Sequence, residues 1–349
     1  MALLQTWQRM RSNPIHEKRW QQFKRNRRGF WSLWIFSGLF LLSLLGELWV
    51  NDKPVMISYQ DQWYFPVIQD VPENKLGGDF DISTDYHDAY MVKQIEKEGW
   101  ILWPLIPFYY DSINYELTES APSPPNHINY LGTDDQGRDV AARLVYGFRI
   151  SVFFALALTL CSSIIGVIVG AVNGYYGGRI DLFGQRLLEI WEGLPMLFML
   201  IILASFVEPT FLWLLGLMIL FSWPGLVGIV RAEFLRGRNL EYVKAARALG
   251  VSDNQIMFRH ILPNALIATL TFMPYLFTGA LTTLTSLDFL GFGLPLGSAS
   301  LGEMVAQGKN NLHAPWLAIS AFISLSSILV LLVFIGEAVR DAFDPRKIL

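Results

Sequence analysis

The stretch ISVFFALALTLCSSIIGVIVGAV, residues 150–172, holds no charged side chain and no proline. A bilayer core about 30 Å thick is crossed by about 20 apolar residues rising roughly 1.5 Å each, so this run is long enough to span. Five further runs are mostly apolar over a similar length: 30–50, 187–207, 211–230, 266–287 and 317–336. A closed barrel is the other structure that satisfies every backbone polar group in lipid. It needs alternating segments of about 10 residues, whereas these runs are continuous. The pattern predicts an all-α integral membrane protein with six transmembrane helices. Composition points the same way, since only 16% of the 349 residues are charged against about 25% in soluble domains. The mean hydropathy of +0.35 and the 24 Phe and 12 Trp suit helices in lipid with aromatics at its boundaries. A net charge of -3 gives no basic field, so no nucleic-acid partner is expected.

Lys and Arg near span ends set orientation. They gather before the first run (Arg9, Arg11, Lys18, Arg19, Lys24, Arg25, Arg27, Arg28) and after the second (Arg179, Arg186). They recur after the fourth (Arg231, Arg236, Arg238, Lys244, Arg247, Arg259) and after the last (Arg340, Arg346, Lys347). Six spans place these regions on one side, which predicts that both termini are cytosolic. The first run is longer than a signal core and no small-x-small site follows it, so it reads as a retained helix. The expected layout is a cytosolic basic tail (1–29), a first transmembrane helix (30–50), an extracytoplasmic insertion (51–149), a five-helix core (150–336) with a cytosolic loop at 231–265, and a cytosolic tail (337–349). The basic tail suits a topogenic role, with contact to anionic lipid or a partner as the alternative.

The insertion reads as small and mixed α/β. Aromatics recur through it, VMISYQDQWYFPVI (55–68) has the pattern of a hairpin turning at Gln60 and Asp61, and DYHDAYMVKQIEKEG (85–99) that of a helix capped by Asp85 and stopped by Gly99. Pro122, Pro124 and Pro125 then impose extended or turned backbone. Such a domain is either a packed cap or a docking face for a soluble partner.

Much chemistry is missing. No Gly-rich loop ends in Gly-Lys-Ser/Thr, no Gly-x-Ser-x-Gly elbow is present, and His16, His87, His127, His260 and His313 lack metal-ligand spacing. A lone cysteine, Cys161, excludes a disulfide framework. In TDDQGRD, Asp134, Asp135 and Asp139 lack the order of a calcium loop, and Asp134 reads as the cap of the helix that follows. No catalytic set and no metal site are expected. Glu189, Glu192, Asp288 and Glu337 all fall near span ends, which disfavours a carrier that drives itself on ions. Pro195, Pro224 and Pro274 interrupt the spans. Gly166, Gly170 and Gly174 share one helical face, where close packing of a neighbouring helix is the plainest use of them.

The loop at 231–265 is more than a connector. NLEYVKAARALG (239–250) has the signals of a short helix: Asn239 as cap, Glu241 in the first turn and Gly250 as stop. SDNQIMFRHILP (252–263) starts a second, with Ser252 and Gln255 in capping-box spacing and Pro263 at its far end. Ala245, Ala246 and Ala248 would give the first helix a slim surface for a partner's groove. The bland alternative is a helix lying in the headgroups. A helix–turn–helix tethered to the bilayer at both ends is no DNA reader. It suits an elbow that transmits force, and the energy must come from another subunit.

EYVKAARALGVSDNQIMFRHILPN (241–264) resembles the coupling-loop signature of ABC importer permeases. Ala245, Ala246, Gly250, Leu262 and Pro263 match it, while Lys244 stands where the signature has Glu and His260 where it has Ile. LGTDDQGRDVAARLVYGFRIS (131–151) and TSLDFLGFGLP (285–295) are similar to segments of the dipeptide/oligopeptide/nickel permease family, of the type that pairs with a second, distinct permease. NRRGFWSLWIF (26–36), NDKP (51–54) and QWYFP (62–66) extend the likeness to particular members. The resemblance implies a type I importer permease fold in a bacterial inner membrane. It implies one permease subunit of a binding-protein-dependent, ATP-driven importer of oligopeptides or peptide-like compounds. Its partners would be a second permease, one or more ATPase subunits, an extracytoplasmic solute-binding protein, the peptide and membrane lipid. No cofactor would sit on this chain, and ATP and Mg would belong to the ATPase. Tyr242, Lys244, Ala245, Ala246, Ala248, Leu249, Gly250, His260, Leu262 and Pro263 would couple to the ATPase. Asp288, Phe289, Gly291 and Gly293 would line the substrate's entry, with Asp288 facing a peptide amine, or the stretch is simply a re-entrant turn, which Gly291 and Gly293 suit equally. Two other classes stay open on the residues alone: an ion-coupled or export carrier, and a membrane-anchored enzyme with its activity in the insertion.

Overall fold

The computed structural model describes residues 14–344, apart from 118, 205, 208, 209 and 296. Arg9, Arg11, Arg346 and Lys347 lie outside the described residues. In chain order the elements are α1 (Pro14–Arg25), α2 (Arg27–Leu44), β1 (Met56–Tyr59), β2 (Gln62–Tyr64), α3 (Ala89–Glu98) and β3 (Gly99–Leu102). There follow α4 (Val140–Tyr176), α5 (Gly178–Glu192), α6 (Met196–Ala204), α7 (Phe211–Ser222) and α8 (Pro224–Gly237). The last four are α9 (Glu241–Ala248), α10 (Asp253–Phe289), α11 (Leu301–Asn310) and α12 (Pro315–Phe343).

Among the described residues α4, α10 and α12 are long and apolar enough to cross a membrane, and α7 with α8 forms a fourth candidate bent by 40°. The bend falls where Pro224, at the first position of α8, supplies no N–H. The other two predicted runs are interrupted. In 187–207, α5 ends before Gly193 and α6 begins only after Pro195, so Pro195 again divides a run that hydropathy reads as one. The first run breaks at Leu45 and resumes as the single turn Gly46–Trp49, and Trp49 Nε1 donates to Leu42 O at 2.9 Å, taking a carbonyl that an unbroken helix would use.

The chain divides into two compact units. The first comprises Met1–Ser37, Phe153–Leu284 and Ser327–Leu349, within the described residues. Here the glycines of α4 meet α8. A Cβ on Gly166, Gly170 or Gly174 would lie 2.7, 2.8 or 2.5 Å from the carbonyl oxygens of Trp223, Val227 and Arg231. The face therefore serves backbone-close packing, as its spacing suggests. Phe23 of α1 packs with Ala338 and Ala342 of α12, and Asn26 Nδ2 donates to Asp341 at 3.4 Å.

The second unit comprises Gly38–Val152 and Thr285–Ser326. It holds an antiparallel sheet of order β2-β1-β3, with Tyr59 opposite Gln62 and Gly99. Gln60 and Asp61 have φ of 49° and 59°, the left-handed pair of a two-residue hairpin, and they stand where the sequence pattern puts the turn. α3 packs Met91 and Ile95 beside Ile57, Tyr59, Val71, Leu76 and Tyr86. Its cap is Asp88, which accepts from Tyr90 N at 2.9 Å, and not Asp85, which accepts from His87 N two residues too early to start the helix. Gly99 does end the helix and begins β3, where a Cβ would run into Ser58 O.

Candidate coupling elbow and the Asp288 loop

The elbow is built on an apolar cluster. Val243 and Ala246 of α9 pack with Ile256, Met257, Ile261 and Ala265 of α10, Val230 and Phe234 of α8, and Ala171 and Tyr175 of α4. These positions recur at helical spacing and leave the other face of α9 outward. Leu249 is 85% exposed and Tyr242 45%, and Lys244, Ala245, Ala248 and Gly250 are exposed as well. Ala246 therefore does not belong to the outward surface the sequence suggests; it is the small residue that lets α9 sit down on its core. Phe258, 68% exposed, adds an aromatic ring at the start of α10 that motif reading passed over.

The ends of α9 differ from their sequence signals. Leu240 occupies the cap position without a side-chain bond, because Asn239 turns back and donates to Leu235 O at 2.9 Å, closing α8 instead. At the other end Gly250 N donates to Arg247 O at 3.0 Å and Val251 N to Ala246 O at 3.1 Å, with Gly250 at φ 79°. That double bond pattern around a left-handed residue is the Schellman stop, and it explains why glycine stands there. Lys244 pairs with Glu241 on the outer face at 3.1 Å.

Pro263 does not end a second helix. α10 runs on through Leu262 and Pro263, and Leu262 N donates to Met257 O, five residues back, at the end of a π-helical turn over Ile256–Ile261. Widening the helix just before the proline accommodates a ring that would otherwise clash with the carbonyl four residues earlier. The capping box also fails to form: Ser252 caps α10 through its backbone carbonyl, which accepts from Ile256 N at 2.9 Å. Tyr242 Oη donates to His260 O at 3.2 Å and so ties the outer face of α9 to the π turn. Leu262 is half-buried against the cluster, and Pro263 is exposed.

Polar bonds fix the elbow's rim. Arg247 donates to Tyr175 Oη at 3.1 Å, Tyr175 bonds to Asp253, and Arg238 donates to Tyr175 O at 3.1 Å. The bond to Tyr175 holds the Arg247 guanidinium above its usual pKa. On α5, Asp181 accepts both arms of Arg231 at 2.5 Å, and this hydrogen bonding holds its carboxyl below the usual carboxylate range.

The Asp288 loop belongs to the second unit and is organised differently. Asp288 is 8% exposed; Oδ1 accepts from Leu294 N at 2.7 Å and Oδ2 from Ser300 Oγ at 2.6 Å. Gly293 lies so close that a Cβ there would strike the Asp288 carboxylate. Asp288 thus spends both carboxylate oxygens on its own loop. Gly291 has φ 79° and makes the turn, while Phe289 is half-buried with Lys309 Nζ 5.3 Å from its ring centre. Ser300 in turn caps α11, its Oγ accepting from Glu303 N at 3.2 Å.

Below that cap lies an ion network that no local motif announces. Glu303 accepts from Arg143 at 2.9 Å and from Arg138 at 3.3 Å, and Arg138 pairs with Asp134 at 2.7 Å. Arg143 is fully buried. Asp134 accepts from the backbone N–H groups of Gln136 and Arg138, both at 2.9 Å, so it braces the TDDQGRD loop. The cap of α4 is Asp139, whose Oδ1 accepts from Ala142 N at 2.7 Å. Burial raises the Asp139 carboxyl above its usual range, opposed by bonds from Ala142 N and from Asn129 Nδ2 at 2.9 Å. Among the described residues no group of His, Cys, Asp and Glu is arranged to hold a metal ion.

A membrane chain with an apolar-rooted elbow and a proline-crossing helix defines a class, and comparison with known proteins gives it a family. Residues 139–349 match the binding-protein-dependent transport system inner membrane component family, and the chain belongs to it. The inner membrane ABC transporter permease protein YejE of Escherichia coli (strain K12) is 57% identical over 337 residues, covering 97% of this chain and 99% of that protein. The peptidoglycan transport system permease protein YejE of Agrobacterium fabrum is 54% identical, covering 96% of this chain and 94% of that one. The oligopeptide transport system permease protein OppC of Lactococcus lactis subsp. lactis is 34% identical over 242 residues, with 68% and 82% covered. Both YejE relatives extend along almost the whole chain, in keeping with the likeness carried by NRRGFWSLWIF, NDKP and QWYFP ahead of the family match.

Proposed function

We propose that this chain is one of two permease subunits of an ATP-driven importer for oligopeptides or peptide-like compounds, coupled to an ATPase through α9. The observation that carries this reading is the two-sided elbow. Its inner face is locked by a buried cluster, and its outer face offers Leu249, Tyr242, Ala245 and Ala248 to a partner. An ATPase that fits this face better in one nucleotide state than in the other would bias the membrane helices, which is the differential contact that coupling requires. α10 starts within the elbow and continues as a span, so displacement of α9 would act on that span without a flexible joint.

In this reading the chain crosses the inner membrane six times, with the α2 run and the α5–α6 run as interrupted crossings. Both termini and the elbow lie on the cytosolic side. The sheet-bearing insertion lies outside, toward a solute-binding protein, and ATP and Mg sit on the ATPase. The relatives named for oligopeptide and peptidoglycan transport support the substrate class.

The test is purification of the chain with its partners in mild detergent, then reconstitution with a binding protein and labelled peptides. ATP-dependent uptake that stops without the ATPase is expected. Uptake by this chain alone on a proton gradient would overturn the reading in favour of a self-driven carrier, and so would an elbow that contacts no ATPase.

A further inference from the structure

Within the first unit, the ends of α4 and α8 and the start of α10 meet α9 around an open cavity of about 510 Å³, lined by Tyr175, Tyr176, Arg238, Asn239, Arg247 and Asp253. Its level is set by the sequence. The apolar run 150–172 of α4 stops three residues before Tyr175, Arg238 directly follows α8, and Asp253 opens α10. The cavity therefore stands where apolar helix gives way to polar chain, the depth of lipid headgroups. Two guanidinium groups converge on it from different elements, and Tyr175 fixes both. Arg238 Nη1 donates to Tyr175 O and Arg247 Nη2 to Tyr175 Oη, each at 3.1 Å. Gly177 leaves the room this needs, since a Cβ there would strike the Arg238 guanidinium. An arginine carries five N–H donors, so one bond to Tyr175 orients the group without exhausting it. The opposing charge is Asp253, which bonds to Tyr175 Oη and leaves the lining with two cations against one carboxylate.

We infer that this cavity binds a phosphate group between Arg238 and Arg247, carried by an anionic lipid headgroup or by a small soluble phosphate. A guanidinium fork matches phosphate oxygens two at a time, and basic pockets between membrane helices take up headgroups in this way. Tyr176, 46% exposed at the end of α4, suits the same boundary. An acidic side chain of an ATPase is the competing occupant, and the direction of Arg247 speaks against it. At about 100° per residue, Arg247 projects about 160° away from Ala245 and Leu249 on the outer face of α9, on the flank toward Tyr175. A phosphate held by both arginines would tie α9 to the ends of α4 and α8. The elbow would then respond to the membrane's lipid or to the phosphate around it, whatever the transported substrate is.

The experiment uses the purified full-length chain in an uncharged maltoside detergent, with dioctanoyl phosphatidylglycerol and inorganic phosphate as separate probes. Saturable binding of the lipid names a headgroup as the source, and saturable binding of phosphate alone names a soluble one. For whichever probe binds, Arg238→Gln and Arg247→Gln should each weaken binding about tenfold, the worth of a charged hydrogen bond. Asp253→Asn keeps an acceptor for Tyr175 but removes the opposing charge, and should tighten binding severalfold. Arg186→Gln removes the same charge from α5 outside the cavity and should stay within about twofold of wild type, since solvent and salt screen it. Opposite effects from Arg238→Gln and Asp253→Asn are what a purely structural role would not produce. If an arginine variant fails to fold, the gain in Asp253→Asn decides the matter. Failure of both probes to bind would overturn the inference. So would equal losses in Arg186→Gln and Arg238→Gln, which would reduce the effect to overall charge. Arginine variants that release an ATPase from the complex and leave probe binding unchanged would assign the pair to a protein contact instead.

Discussion

The elbow and the Asp288 loop are both turns between helices, and they are held by opposite means. Around α9 the fixing contacts are mainly apolar and inward, and the outer face keeps Leu249, Ala245 and Ala248 exposed beside the bonded Tyr242 and Lys244. Around Asp288 the fixing contacts are hydrogen bonds and ion pairs, and the carboxylate, the serine and the arginine beneath them are consumed in making it. A segment that must present a surface to another protein is best anchored by the face it hides. A segment rich in buried charge spends its polar groups within itself, and Asp288 braces its own loop.

That contrast can be broken at either end. The largest effect belongs to Arg143→Ala, which empties a fully buried site and leaves Arg138 as the one remaining cationic partner of Glu303 and Asp134 in this network. A loss of roughly 3–5 kcal/mol of stability is expected, read as thermal unfolding in detergent. If the variant melts with the wild type, the network is not what holds the second unit. Leu249→Asp should do the reverse: unfolding unchanged, because the side chain is 85% exposed, and ATP-driven uptake down more than tenfold through a lost partner contact. A drop in melting temperature there would mean that α9's outer face is packed within the chain. Gly250→Val meets no atom, so its cost is backbone alone, about 1–2 kcal/mol for a left-handed β-branched residue. Membrane abundance should stay near normal while uptake falls severalfold relative to ATP hydrolysis. The smallest effect sharpens the comparison most: Asp288→Asn should leave the uptake ratio of amine-blocked to free peptides unchanged. A shift in that ratio would return Asp288 to the substrate path.

What the sequence discloses follows from the range of the forces involved. Apolar runs are local, so α4, α10 and α12 can be read directly, and so can the hairpin at Gln60 and Asp61. Helix ends are less legible because caps compete: Asn239 is a good cap that spends itself on Leu235, and Asp85 and Asp134 each lose the role to an aspartate closer to the helix. Proline misleads in both directions, dividing the run at Pro195 yet being absorbed at Pro263. The coupling segment stands out as a motif, but the division of its alanines into one buried and two exposed needs the core cluster. The Arg143–Glu303 pair joins residues 160 apart, and only the folded chain brings them together.

The π turn at Ile256–Ile261 has one more consequence. Such a turn carries a surplus residue relative to an ordinary helix, and its wider winding absorbs that residue, so the faces of α10 beyond it keep their azimuth. Deleting a single position between 256 and 261 should let the turn relax to ordinary pitch with the rod beyond it hardly rotated. Deleting one position past Pro263, where each residue advances the helix by about 100°, would swing the remainder through more than a quarter circle. The wide turn is thus the one place in α10 where the chain can lose a residue and keep its phase.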